Sequence, residues 1–578
     1  MGKKSPNVVF VITDDQGYGD LGCTGNPRIR TPHIDAFYSE AVRMRDFHVH
    51  PLCAPTRGAI MSGHRALRNG VWATCWGRSI LRPEEVTLAE VFRDNGYRTG
   101  MFGKWHLGDN YPYRPQDRGF QRVVAHKGGG VGQTPDFWGN NYFDDTYFHN
   151  GKPVSHTGYC TDVWFAEAEK FIREDPDKPF FAYIATNAPH SPYLVEERYA
   201  APYRGDPEIP SPEFYGMIAC IDENFGRLRQ TLKDLDLEEN TLLLFMTDNG
   251  SSGGCRLDRA GYVTQGYNAG MRGMKASYYD GGHRVPCFLR WPEGGIQGGR
   301  DIAEMALDVD FLPTFMELCG LAASSGRDLD PDGVSLAGML AGRQEALPED
   351  RIHFIQYDQN TNPPPRERNT VMTRQWRLVY GRELYDIRKD PEQRQDVAGD
   401  YPEVAERLRK AHDGWWTRWE TEFGRYSPIS LGNDAENPTR LDAMDVMGDV
   451  AWNQQHIALA QKSAGKWTVR IEKPGRYRIA LRRWPEELDL PLDEVMSEEE
   501  AAALAPYMRT VVKPMRIQPA AAVLHIAGKS YRMPCLPGEK EAVFNLDFEP
   551  IDTTVLEAGF ENGEGETEGA YYVYIEHM

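Results

Sequence analysis

Asn7-Val8-Val9-Phe10-Val11-Ile12-Thr13-Asp14-Asp15 is the stretch whose reading decides the fold. Its first seven residues form a continuous, mostly β-branched apolar run, the mark of a strand covered on both faces. The run ends in two adjacent carboxylates, which are costly beside a buried strand unless something cationic holds them. The carboxyl edge of an open α/β sheet is also where ligands bind. A solvated turn is the alternative reading. The arrangement recurs far along the chain: Asn240-Thr241-Leu242-Leu243-Leu244-Phe245-Met246-Thr247 is a second apolar run, ending at Asp248-Asn249-Gly250.

Between these strands lies His48-Val49-His50-Pro51-Leu52-Cys53-Ala54-Pro55-Thr56-Arg57-Gly58-Ala59-Ile60-Met61-Ser62-Gly63. Pro55 suits a first helical turn, since its φ is preset and the missing N–H is not needed there. Cys53 is thereby placed just before a helix start, where the dipole and backbone N–H groups favour an anion. Arg57 follows one turn later. A buried cysteine before an ordinary helix is the alternative.

Helical and strand patterns alternate around these landmarks. Thr87 to Asn95 reads as an amphipathic helix ended by Gly96, and Tyr97 to Phe102 as a strand running into Gly103-Lys104-Trp105-His106-Leu107-Gly108. In extended chain, Lys104 and His106 share a face. Residues 128–148 are rich in Gly, Asn and aromatics, as in binding loops, and aromatics with polar neighbours suit sugar rings. Phe180 to Ala185 is another buried strand, leading to Asn187-Ala188-Pro189-His190-Ser191-Pro192. Phe214 to Leu235 reads as a long helix, and Lys275 precedes Asp280-Gly281-Gly282-His283-Arg284-Val285-Pro286.

With 578 residues the chain exceeds one typical core, so two or more domains are expected. A net charge of −20 argues against a nucleic-acid surface and against anionic membranes, so an anionic substrate needs cations gathered locally. The nine cysteines form no CxxC pair and no zinc-finger spacing, and their odd number leaves at least one unpaired. No apolar run is long enough to span a bilayer. Met1-Gly2-Lys3-Lys4-Ser5-Pro6 leads straight into a strand without a signal-peptide core. The expected location is cytoplasmic if Met1 is the native start, and periplasmic or secreted if a signal peptide has been trimmed.

After Tyr426 the composition changes. Residues 427–440 are polar and rich in Pro, Gly and Asn, as in a linker. From Gln455 onward short alternating strands read as a β-sandwich or jelly roll, with a helix-like acidic insertion from Met496 to Leu504.

Cys53-Ala54-Pro55-Thr56-Arg57 resembles the Cys-x-Pro-x-Arg signature of formylglycine-dependent sulfatases, in the alkaline-phosphatase superfamily. The Gly-Lys-Trp-His string, the His190 segment, Asp248-Asn249, the Lys275 segment, the Asp308 to Cys319 helix and Glu383-Leu384-Tyr385-Asp386 follow in that family's order, over roughly residues 7 to 400. The resemblance implies an α/β fold: a mixed, mostly parallel central sheet flanked by helices, alkaline-phosphatase-like, with a small α+β C-terminal subdomain. The added all-β sandwich completes the expected division: catalytic domain 1–344, subdomain 345–426, linker 427–454, accessory sandwich 455–578.

The resemblance further implies one Ca2+, with Mg2+ possible, held by Asp14, Asp15, Asp248, Asn249 and Cys53 once a maturation enzyme has oxidised that cysteine to formylglycine. Hard oxygen ligands of these types suit either cation. It implies a hydrated formylglycine nucleophile oriented by Arg57, sulfuryl charge spread over Lys104 and Lys275, His190 as the acid for the leaving alcohol, and His106 as the base that releases sulfate. The expected substrate is a small-molecule or oligosaccharide sulfate ester. The competing class is a phosphomonoester or phosphodiester hydrolase of the same superfamily, which shares metal and fold. Two-zinc phosphatases there need further His and Asp ligands and a Ser or Thr nucleophile, where this chain offers Cys53.

Overall fold

The apolar run at Asn7–Thr13 lies in the middle of a ten-stranded sheet. The computed structural model describes residues 5–323, 329–343, 347–348, 351–504 and 513–578. In spatial order the strands are Asp301–Leu307, Val42–His48, Cys287–Arg290, Thr241–Thr247, Asn7–Thr13, Phe180–Ala185, Arg98–Lys104, Arg122–His126, Thr146–His149 and Lys152–Ser155. Cys287–Arg290 and Thr146–His149 run against the rest, so the sheet is mixed and mostly parallel.

Strand alternation divides the core in two. Val8, Phe10 and Ile12 face one layer with Ile60, Phe92 and Phe311, while Val9 and Val11 face the other with Phe37, Trp164 and Phe225. Helices cover both faces, which is why the strand has no polar side. Leu88–Asp94 shows how local sequence sets an element: Thr87 and Glu90 form a reciprocal capping box at its start.

Register then fixes the functional edge. Thr13 pairs with Thr247, and Ala185 pairs with Gly103, so neighbouring strands end at one level. Gly103 is required there: its φ is +109°, and a Cβ would collide with the Ala185 carbonyl oxygen.

A second, antiparallel sheet contains His353–Ile355, Thr370–Met372, Trp376–Val379 and Glu383–Asp386, covered by the helix Pro402–Phe423. Trp415, Trp416, Trp419 and Phe423 of that helix pack on Ala66, Leu67 and Trp72. The expected boundary between 344 and 345 lies outside the described residues.

The stretch 427–454, expected as a linker, is instead part of the β-sandwich. Ile429–Leu431 pairs with Lys466–Ile471, and Thr439–Asp442 pairs with Tyr572–His577, so each sandwich sheet takes one strand from it. Both strands are only three or four residues long and sit among turn residues, so their pattern is too short to register. The helix Glu498–Ala503 falls between the strands Gly475–Arg482 and Ala521–Ile526, where an insertion was expected.

The sandwich is not a hanging module. Ile80 and Tyr113 belong to the same apolar cluster as Ile429, Leu431, Val469 and Ile479, and the Tyr113 hydroxyl donates to the Pro428 carbonyl at 2.8 Å. Among the described residues no helix is long and apolar enough to cross a membrane.

Ending the chain after Tyr426 would strip cover from Ile80 and Tyr113. The shortened protein is expected to aggregate or to melt well below the full chain, measured by soluble yield and thermal unfolding. An unchanged melting temperature would show that the sandwich contributes nothing to the fold of the rest.

Candidate active site

Five segments meet at the carboxyl edge of the sheet. Asp14 and Asp15 follow one strand and Asp248 and Asn249 the next. Lys104 ends a third strand, His190 lies on the loop after a fourth, and Cys53 is the first residue of the helix Cys53–Ser62. Backbone bonds lock them together: Asp248 N donates to Thr13 O at 3.0 Å, Asp14 N to Ala188 O at 3.2 Å, and Ala276 N to Pro51 O at 2.9 Å.

Asp15 and His106 have φ of 66° and 61°, unusual for residues with a side chain. Lys104 and His106 therefore do not share a strand face, as extended chain would have it. The left-handed turn at His106 brings both to the site by another route.

Three buried carboxylates are each met by a cation. Lys104 Nζ lies 2.6 Å from Asp14 Oδ2, Lys275 Nζ lies 2.6 Å from Asp15 Oδ1, and Arg57 binds Asp248 Oδ2 through two nitrogens at 2.8 and 3.1 Å. Arg57 also donates to the Lys104 carbonyl at 2.9 Å. Its hydrogen bonds thus go to Asp248 and the Lys104 backbone, while its charge also acts on Cys53.

Burial, reinforced by Asp14, pushes Asp248 up to about 6, and burial raises Asp14 as well despite Lys104. Asp15 goes the other way: burial opposes ionisation, but Lys275 and His190 hold it well below the usual carboxylate range. Lys275 is raised: burial opposes its charge, but Asp15, Cys53 and Asp14 together outweigh it.

A cation fits among these groups. Asp14, Asp15 and Asp248 each offer an oxygen within 4.8 Å of the other two. Asp14 Oδ1 and Asn249 Oδ1 are buried with no hydrogen-bond partner, although buried polar atoms are normally satisfied. The set is all hard oxygen, the chemistry of Ca2+ or Mg2+ rather than of a soft metal. The Cys53 sulfur is not within that group; it stands beside His106.

The helix opens at Cys53 itself, and Leu52 gives its N-terminus no side-chain cap. Residue 53 thus sits among N–H groups that lack acceptors within the helix. As a thiol it is a poor nucleophile, because burial raises its pKa even though Lys104 counters.

His106 Nε2 lies 2.9 Å from the Thr74 carbonyl, which can only accept, so that nitrogen carries the proton. Nδ1 is left with its lone pair and faces Cys53 Sγ at 3.4 Å. Burial and Lys104 keep the ring neutral, far below the ordinary histidine range. His190 donates from Nδ1 to the Ser191 carbonyl at 2.6 Å, and its Nε2 stands 3.7 Å from Asp15. Burial and Lys275 hold it at about 4, against the pull of Asp15.

Cys53, His106, His190 and Lys275 line one cavity of about 310 Å3, and Gly129 touches the His106 ring so closely that a Cβ would strike it. Gln133, within the stretch 128–148 read as a binding loop, also lines the cavity, as do Thr74, Gln359, Met444 and Trp452, which sequence reasoning did not single out. They sit in irregular chain, two of them in the presumed linker, where no period or motif marks them. The aromatics of 128–148 point elsewhere than expected: Tyr142 and Tyr147 are buried, and Trp138 packs edge-on against Trp484 of the sandwich.

A second group, His48, Asp280 and His283, also brings ligand atoms together. There the guanidinium of Arg377 already bonds Asp280 at 3.0 Å and His48 at 3.1 Å, filling the place of a cation. None of the nine cysteines is paired in a disulfide.

Comparison with known proteins agrees with this geometry. The sulfatase family model matches residues 6–321, and a model described as N-sulphoglucosamine sulphohydrolase, C-terminal, matches 274–413. Arylsulfatase A of Homo sapiens is 29% identical over 70% of this chain and 87% of its own length. N-acetylgalactosamine-6-sulfatase of Canis lupus familiaris is 29% identical over 59% of this chain, which spans only 66% of that relative. The structure of Ps i-CgsB in complex with k-i-k-neocarrahexaose superposes with a TM-score of 0.63 at 25% identity, over 73% of this chain and 95% of that one. With the first model covering more than half of its residues, the chain belongs to the sulfatase family.

Proposed function

We propose that this chain hydrolyses a sulfate ester carried on a sugar, using residue 53 as the nucleophile after a maturation enzyme has oxidised Cys53 to formylglycine. One observation carries the reading: the cysteine of the Cys-x-Pro-x-Arg signature opens a buried helix, touches the free Nδ1 of a neutral histidine, and shares a cavity with Lys275.

Formylglycine supplies, as its hydrate, two hydroxyls on one carbon: one to attack sulfur, and one whose proton must leave before sulfate departs. A divalent cation, Ca2+ by preference and Mg2+ as the alternative, would be held by Asp14, Asp15, Asp248 and Asn249, joined by residue 53 once its thiol has been replaced by oxygen, and would supply positive charge for a sulfuryl group. Lys104 and Lys275 add their charge to the same oxygens, the electrostatic contribution that is usually largest. Asp248, held by Arg57, is the carboxylate for the attacking hydroxyl. His106 receives the second proton at Nδ1, which its bond to Thr74 leaves open. His190 gives a proton to the leaving oxygen; it is neutral in the free site, and the negative charge of a bound sulfate favours its protonated form.

Charge balance supports an anionic substrate. Three carboxylates meet Arg57, Lys104 and Lys275. A dication on top leaves the site net positive, ready for a sulfate monoester, within a chain that is acidic overall. A sugar as carrier is supported by relatives named N-acetylgalactosamine-6-sulfatase and by the neocarrahexaose complex of Ps i-CgsB.

The test is sulfate release from 4-nitrophenyl sulfate and from defined sulfated mono- and oligosaccharides, beside phosphate release from 4-nitrophenyl phosphate. The protein is assayed after chelation and after return of single metals. Sulfate release far above phosphate release, lost on chelation and restored by Ca2+ or Mg2+, is the expected result. Preferred phosphate release restored only by Zn2+ would move the chain to the phosphohydrolase branch.

The acid role has its own test. A sugar alkoxide leaves reluctantly and a nitrophenolate barely needs a proton. His190→Ala is therefore expected to lose ~10²–10⁴-fold on a sugar sulfate, the usual worth of general acid catalysis, and much less on the aryl sulfate. Lys104→Ala should damage both substrates more evenly, because sulfuryl charge develops in either case. Equal losses for His190→Ala on the two substrates would reject the acid role.

A further inference from the structure

The cavity that holds residue 53 does not end there. It adjoins a larger cleft of about 820 Å3, and Gln133, His190, Ser191 and Trp452 line both. Trp452 is a large apolar side chain left 39% exposed at this junction. It lies beyond the residues that either family model matches.

Its position is built rather than incidental. The Trp452 carbonyl accepts from Thr134 N at 3.1 Å, and Gln133 bridges to Asn453. The Thr134 hydroxyl donates to the Ala451 carbonyl. Gln454 receives a bond from Gly139 N at 3.0 Å and donates to the Phe137 carbonyl at 3.2 Å. The indole itself is met edge-on by His456, with ring centroids 5.0 Å apart and planes at 89°. The other end of the same loop reaches the chemistry, since Gly129 donates to Gln133 Oε1 at 2.7 Å while lying against the His106 ring.

The cleft beyond Trp452 has a matching character. Ser211, Ser252 and Asn453 offer hydrogen-bonding groups, and Tyr193 adds a second aromatic. Glu213 is paired with Arg204 at 2.9 Å, so the permanent positive charge among the lining residues belongs to exposed Arg256. Aromatic faces suit the C–H faces of pyranose rings, hydroxyl and amide groups suit their edges, and a cation suits further sulfate.

We propose that Trp452 is the platform for the sugar next to the sulfated one, and that the adjoining cleft takes further units of a sulfated oligosaccharide. Resting on the sulfatase reading, this assigns to the C-terminal sandwich a part in choosing chain over single sugar.

The experiment compares kcat/KM for wild type, Trp452→Ala and Trp452→Phe on 4-nitrophenyl sulfate and on size-graded sulfated galactan and glycosaminoglycan oligosaccharides. Wild type is expected to prefer the longer chains. Trp452→Ala should lose about 10-fold on them, chiefly through KM, with a much smaller loss on the aryl sulfate, and Trp452→Phe should recover most of it. Wild-type sulfate release with no gain from chain length, or equal losses on short and long substrates, would overturn the platform and leave the sulfatase reading standing. No release of sulfate from any of these compounds would instead sink the sulfatase reading itself.

Discussion

Three ion pairs on buried carboxylates at one edge of the sheet hold the rest in place: Asp14 with Lys104, Asp15 with the half-buried Lys275, and Asp248 with Arg57. The three cations come from three different segments, so the pairs tie strand ends, a helix and a loop to one point. Charges taken out of water at such depth return little net stability, yet removing one member of a buried pair costs about 3–5 kcal/mol. The unpartnered oxygens of Asp14 and Asn249 show that the protein cations do not satisfy the site by themselves. On the proposed function, the arrangement serves catalysis: fixed positive charge set in advance around a place where negative charge would develop.

That point exists because of register. Parallel strands that end level deliver their next residues side by side, and the α/β layering buries the central three of those strands on both faces. The same fact made the core of the fold legible. Asn7–Thr13 and Thr241–Thr247 announce themselves as buried strands, and the carboxylates after them stand out because the neighbouring residues are so apolar. The five residues around Cys53 are legible for a different reason, since a proline and an arginine at fixed offsets are a chemical signature.

Other parts were not legible. Ile429–Leu431 and Thr439–Asp442 are too short to show a period, and their flanking Pro, Gly and Asn residues look like those of a linker. The stretch 128–148 does reach the cavity through Gly129 and Gln133, but its Trp138 packs on Trp484 of the sandwich instead of facing it. Trp452, which lines the cavity as Trp76 does, lies far away in sequence, and bonds such as those from Thr134 to the Ala451 and Trp452 carbonyls bring it there. Local chemistry can be read from a sequence; which distant segment closes the wall of a pocket depends on packing between units.

The central claim is that residue 53 works as formylglycine and not as a thiol. It is tested most directly by mass spectrometry of the peptide containing residue 53, taken from preparations graded by specific activity. The fraction of aldehyde at position 53 should rise in proportion to activity, with fully active protein carrying little unmodified cysteine. Fully active protein carrying only Cys53 would contradict the claim.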